Sequence, residues 1–175
     1  MTKAGIYGLF MAILVSTLTA ASAQESSNRV AAKSDWSVFV EQNPTECWIV
    51  SAPKESVNMR DGRVVAVRRG DILLFVTHRP SDNIHGEVSF TGGYPFASGS
   101  TVTLEVGGTT YELFTDGEWA WPATTGDDAK ITTSMKRGSE AVLTARSARG
   151  TVTKDTFSLL GVTAALEEAE SRCSG

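Results

Sequence analysis

Two histidines, two cysteines and a handful of aromatic side chains hold most of the chemical options of this chain. His78 and His85 frame the segment His78-Arg79-Pro80-Ser81-Asp82-Asn83-Ile84-His85, and with Asp82 they offer three metal ligands in one loop. A structural zinc site takes four ligands at characteristic spacings, which this segment lacks, so the pair reads as ordinary loop histidines and no metal is assigned. Serines and threonines are abundant because β surfaces favour them. No Gly-x-Ser-x-Gly elbow occurs among them, and a β pattern lacks the strand-turn-helix setting that elbow needs. No catalytic residue and no cofactor is identified. Arg69-Gly70-Asp71 is an integrin-type tripeptide, but it abuts an apolar run and reads as a glycine turn with charged flanks. The aromatic residues offer more. Trp119 and Trp121 are one residue apart in a short strand and therefore share a face. Exposed, they would stack against sugar rings or a partner's side chains. Buried, they would be core, which is the favoured reading. Tyr94-Pro95-Phe96 lies among Gly92, Gly93 and Gly99 and is either an exposed loop tip or a cover in which Phe96 folds back over the body. Trp119, Trp121, Tyr94 and Phe96 are thus the candidate binding surface.

These side chains need a scaffold, and the start of the sequence says where it is built. Lys3 is the one charged residue before Glu25. An apolar stretch from Gly5 to Val15 follows, then Ala21-Ser22-Ala23, the small-x-small pattern cut by a signal peptidase. Residues 1–23 are therefore expected to be a signal peptide. The alternative is an N-terminal anchor, but the second half of the uncharged run is Ser, Thr and Ala rather than hydrocarbon. No cysteine follows the cleavage point to carry a lipid. No later stretch is apolar enough to span a bilayer. The 152 residues from Gln24 onward suit one domain. Loss of Lys3 takes the formal charge from −4 to −5. That balance argues against nucleic acid, which needs clustered Lys and Arg. Arg60, Arg63, Arg68 and Arg69, interrupted by acidic residues, read as solvated surface.

Cys47 and Cys173 are the two thiols, and in an oxidising compartment such a pair is expected to bond. Two free thiols, or an intermolecular bridge, is the reading the sequence leaves open.

Residues 24–34 are polar and expected to be a flexible lead-in. From residue 35 to residue 175, short Val-, Ile-, Thr- and aromatic-rich segments alternate with Gly, Pro, Asn and Asp, the pattern of an all-β sandwich or barrel-like single domain. Strands are expected at residues 36–40, 47–52, 64–68, 72–78, 86–90, 101–106, 110–115, 119–121, 129–135, 141–147 and 153–159. Gly107-Gly108, Asp116-Gly117 and Asp61-Gly62 mark tight turns. One short C-terminal α-helix closes the domain. Its apolar residues at 162, 165, 166, 169 and 173 form one stripe, with Cys173 in its middle.

Gly93-Tyr94-Pro95-Phe96, the run from Leu113 to Trp121, and above all the tail from Ser147 to Cys173 give the chain a family likeness. In the tail the carriers are Arg149-Gly150-Thr151, Asp155 to Leu159, Gly161 and the short helix. Together they resemble bacterial proteins of the invasion-associated locus B family over most of the chain from Trp36 onward. The resemblance implies a periplasmic or envelope-associated protein of a Gram-negative bacterium, tied by the family's name to host-cell invasion. It brings no catalytic mechanism, cofactor or ligand. Read as local chemistry, the tail motif puts Phe157 inward, lets Asp155 or Ser158 bond turn backbone and sets Arg149 to pair with Asp155. The leading expectation is a non-enzymatic envelope protein that binds an envelope or host protein. The alternatives are a small periplasmic hydrolase using His78 and His85, and a carbohydrate-binding module using Trp119 and Trp121.

Overall fold

A computed structural model describes residues 28–174. The expected signal peptide, and the lead-in up to Ser27, lie outside the described residues. Within them, the chain forms β1 (Arg29–Lys33), β2 (Trp36–Glu41), β3 (Glu46–Ser51), β4 (Glu55–Arg60), β5 (Arg63–Val64), β6 (Leu73–Arg79) and β7 (Ile84–Thr91). There follow β8 (Thr101–Val106), β9 (Thr109–Asp116), β10 (Trp119–Pro122), helix α1 (Thr125–Arg137), β11 (Glu140–Arg146), β12 (Val152–Ser158) and helix α2 (Val162–Cys173). All twelve strands join one open antiparallel sheet in the order β1-β2-β3-β6-β7-β10-β9-β8-β11-β12-β4-β5.

Strand alternation builds the core. Trp36 and Val38 on β2, Cys47 and Ile49 on β3, and Leu74 and Val76 on β6 all face inward. Both helices pack on that inner side, and the buried residues form a single cluster. Helix α2 runs over β1, β2, β3 and β6. It is observed with the bounds its apolar stripe predicts, burying Val162, Ala165, Leu166 and Ala169. The sulfur of Cys173 is bonded to that of Cys47, with the two Cα atoms 5.9 Å apart. Gly161 makes the approach feasible: its φ is +91°, and a Cβ there would run into the carbonyl of Lys33. In the middle of the sheet order, Gly107 and Gly108 both take positive φ, as a two-residue hairpin between β8 and β9 requires.

The sequence expectation fails in four places. The strand expected at 129–135 is helix α1. Thr124 caps it by accepting from the Asp127 amide at 3.2 Å, Asp127 and Asp128 occupy the first turn, and Lys136 and Arg137 the last. The β-branched run Ile131-Thr132-Thr133 argued for a strand, but Ile131 and Met135 lie one helical turn apart and are both buried. Residues 29–33, expected to be part of a flexible lead-in, form β1 on the edge of the sheet. β4, not expected at all, pairs with β12 through the register Val152↔Met59 to Thr156↔Glu55. The strand expected at 64–68 shrinks to β5, because the following residues leave the sheet edge and carry Arg69 under the body.

Candidate functional site

The outward residues of the central strands are unusually aromatic. Cross-strand register brings Phe39 opposite Trp48, and their rings stack at 5.4 Å with planes 4° apart. On the far side of a groove, Phe75 meets Trp119 at 5.7 Å, Trp119 meets Trp121 at 6.3 Å, and Trp121 meets Phe114 at 5.7 Å. The two indole planes are only 22° apart. Trp119 remains 40% exposed and Phe114 49%. The expectation that the tryptophans are core is therefore corrected. β10 buries Ala120 and Pro122, and strand alternation turns both indoles outward.

The groove encloses about 340 Å³. Trp48, Phe75, Trp119 and Trp121 line it with the hydroxyl-bearing Thr77 and Ser89. Arg79 closes one end, donating to Glu87 at 2.8 Å and to Glu46 at 3.4 Å. Aromatic walls and an ordered guanidinium–carboxylate group together form a surface that can stack against flat apolar ligand faces and direct hydrogen bonds at one end.

The other candidate residues lie elsewhere. Phe96 folds back and is buried against Phe90 at 6.1 Å and Tyr94 at 5.3 Å, so it forms no part of a binding surface. Tyr94 is half-buried, sharing a 2.5 Å hydrogen bond with the Thr153 hydroxyl. His78 and His85 are not loop residues as expected but cross-strand partners at the ends of β6 and β7. His78 faces inward near the disulfide, where burial lowers its pKa, whereas His85 is exposed. Asp82 pairs with Arg79 at 3.7 Å. Among the described residues, no group of three or more His, Cys, Asp or Glu is placed to hold a metal ion.

One cluster escaped sequence reading altogether. Asp155 does not pair with Arg149 as expected. It takes a two-pronged grip from Arg69 at 2.8 and 2.6 Å, and a further hydrogen bond from Ser56 at 2.7 Å. The side chains of Arg69 and Asp155 are 6% and 0% exposed. Arg69 also donates to the Gly92 carbonyl and lies over the Tyr94 ring at 5.0 Å. The Arg69-Gly70-Asp71 tripeptide is thus anchored by its first residue. Ser158, in contrast, behaves as expected, its hydroxyl accepting from the Leu160 amide at 3.2 Å. Phe157 is fully buried, also as expected.

Comparison with known proteins agrees with this architecture. A crystal structure of invasion-associated protein B from Bartonella henselae superposes with a TM-score of 0.56 at 16% identity. The match covers 83% of this chain and 98% of that one, a likeness of fold. No curated protein was found to match in sequence. The family described as invasion-associated locus B protein matches residues 36–170, which take in the sheet from β2 onward, helix α1 and most of helix α2. The chain belongs to the invasion-associated locus B family.

Proposed function

We propose that this chain is an exported, non-enzymatic binding protein of the Gram-negative cell envelope, whose outer aromatic groove docks a protein partner. The observation that carries this reading is the exposed row of Phe75, Trp119, Trp121 and Phe114 beside the Arg79 ion-pair group. Interfaces concentrate their binding energy in aromatic and arginine residues ringed by polar groups, which is the composition of this face. Glu46, Glu87, Glu112 and Asp116 lie on its strands, so the fitting partner presents an apolar anchor flanked by Lys or Arg. The Cys47–Cys173 bond supports folding in an oxidising compartment such as the periplasm. The family and its Bartonella namesake support a link to invasion.

A second reading, a carbohydrate-binding module, is favoured by the near-parallel indoles of Trp119 and Trp121. One experiment separates the two. Photo-crosslinking in the native cell is compared between the parent chain and the Trp119→Ala/Trp121→Ala variant, while indole fluorescence is titrated with an oligosaccharide panel. Docking of a protein predicts a defined crosslinked partner, at least tenfold depleted in the variant, and no saccharide response. Saturable quenching by a saccharide selects the second reading. Crosslinks that survive the double substitution, with silent fluorescence, overturn both.

A further inference from the structure

A second hollow, of about 450 Å³, opens beside the turn into β10, and its chemistry is the reverse of the aromatic groove. Arg60 from the end of β4, Arg68 from the β5–β6 connection and Arg149 from the β11–β12 turn all line it, with Arg69 beneath. Nothing in sequence spacing unites these segments. The pairing of β4 with β12, the Arg69–Asp155 bond and the Ala148–Pro95 backbone bond bring them together. Among the described residues, no carboxylate lies within 4 Å of Arg60, Arg68 or Arg149, although the sequence carries more acidic than basic residues. Four guanidinium charges, less the carboxylates of Glu118 on the rim and Asp155 beneath Arg69, leave two positive charges unanswered.

Much of this wall is fixed before any ligand arrives, while the Arg68 and Arg149 side chains reach out from it into solvent. Arg69 is clamped by Asp155 and backs the Tyr94 ring. Arg60 donates to the Thr151 hydroxyl at 2.7 Å. The Arg149 turn is tied down by the Gly150 amide to the Ser147 carbonyl at 2.8 Å and by the Ala148 amide to the Pro95 carbonyl at 2.9 Å. Tyr94, Pro95, Val67 and Ala148 supply an apolar side to the same space. Like charges held together this way repel one another unless an anion joins them, and guanidinium forks match the oxygens of a phosphate group.

We infer that this hollow is a binding site for a phosphate monoester carried on a small body, with Arg68 and Arg149 gripping the phosphate and Tyr94 and Pro95 receiving the body. A phosphate monoester carries close to two negative charges at neutral pH, matching the charge left over, whereas a sulfate ester carries one. The site is separate from the aromatic groove and stands whether or not that groove binds a protein.

Calorimetric titration of the disulfide-bonded protein with glucose 6-phosphate, glucose 6-sulfate and glucose tests it, alongside sedimentation with phosphatidylcholine vesicles containing phosphatidic acid. Glucose 6-phosphate is expected to bind, the sulfate at least tenfold more weakly, and glucose not at all. Arg68→Gln/Arg149→Gln, on exposed side chains, is expected to weaken phosphate binding at least tenfold, while Trp119→Ala/Trp121→Ala leaves it unchanged. Vesicle binding that the arginine variant abolishes identifies a lipid-borne phosphate, and its absence beside soluble binding identifies a free one. Equal binding of phosphate and sulfate esters, affinity untouched by the arginine variant, or no binding to either phosphate probe overturns the proposal.

Discussion

At the scale of single residues, the Arg69–Asp155 pair sets the strongest expectation. Both groups are out of water, and each relies on the other and on Ser56, Asn58 and Gly92 to satisfy its polar atoms. Removing one member of such a pair strands the other without solvent, at a cost of about 3–5 kcal/mol. Arg69→Gln and Asp155→Asn should each lower unfolding free energy in urea by about that amount. The double variant Arg69→Met/Asp155→Leu should lose much less than the two single losses added together. None of this was legible in the sequence. The partners are 86 positions apart, and the sequence pointed instead to nearby Arg149 as the partner of Asp155. The tryptophans were half legible: a two-residue period puts Trp119 and Trp121 on one face, but cannot say which face meets the helices.

Single elements titrate as well as pack. Asp128 on α1 is 7% exposed and accepts from the Val88 amide of β7 at 2.8 Å. Burial raises its pKa above the ordinary carboxyl value, and the Val88 hydrogen bond only partly opposes this. Folding therefore favours the protonated form. The stabilisation is fully present below the unfolded pKa, about 3.9, and is lost as pH rises through the higher folded value. Asp128→Asn keeps an oxygen that can accept from Val88 but cannot ionise. Its melting temperature relative to the parent should rise as pH increases from about 4 to 7. Parallel melting curves would remove Asp128 from the account. Helix α2 was readable because a strip of five apolar positions has no strand explanation. α1 was not, since its two buried apolar residues sit among β-branched neighbours that favour strands. β4 was equally silent: Glu55 to Arg60 presents only exposed or half-buried side chains and holds its place by pairing with β12.

For the whole molecule, the decisive connection is covalent. Cys47 and Cys173 are 126 positions apart, and by the chain-entropy account closing a loop of that length stabilises the fold by about 5 kcal/mol. That is comparable with the entire net stability of many domains, about 5–15 kcal/mol. Thermal unfolding should show a loss of about 2–5 kcal/mol when the parent is reduced, the same loss in Cys47→Ala/Cys173→Ala, and no further effect of reductant on that variant. The pairing could be anticipated from two thiols and a helical stripe. The strand order could not, because the β4–β5 hairpin is placed at the sheet edge beside β12 rather than between β3 and β6.

That strand order has a consequence for how the protein is born. A ribosome delivers β1 to β5 first, yet the β4–β5 hairpin finds its place beside β12 only after Val152 to Thr156 have been made, and the inner face of β2 and β3 is roofed only by the helix that starts at Val162. Early segments must therefore wait, unsealed, for late ones. A nascent polypeptide of this design cannot complete its sheet or cover its β2–β3 face until its final strand and helix have been made.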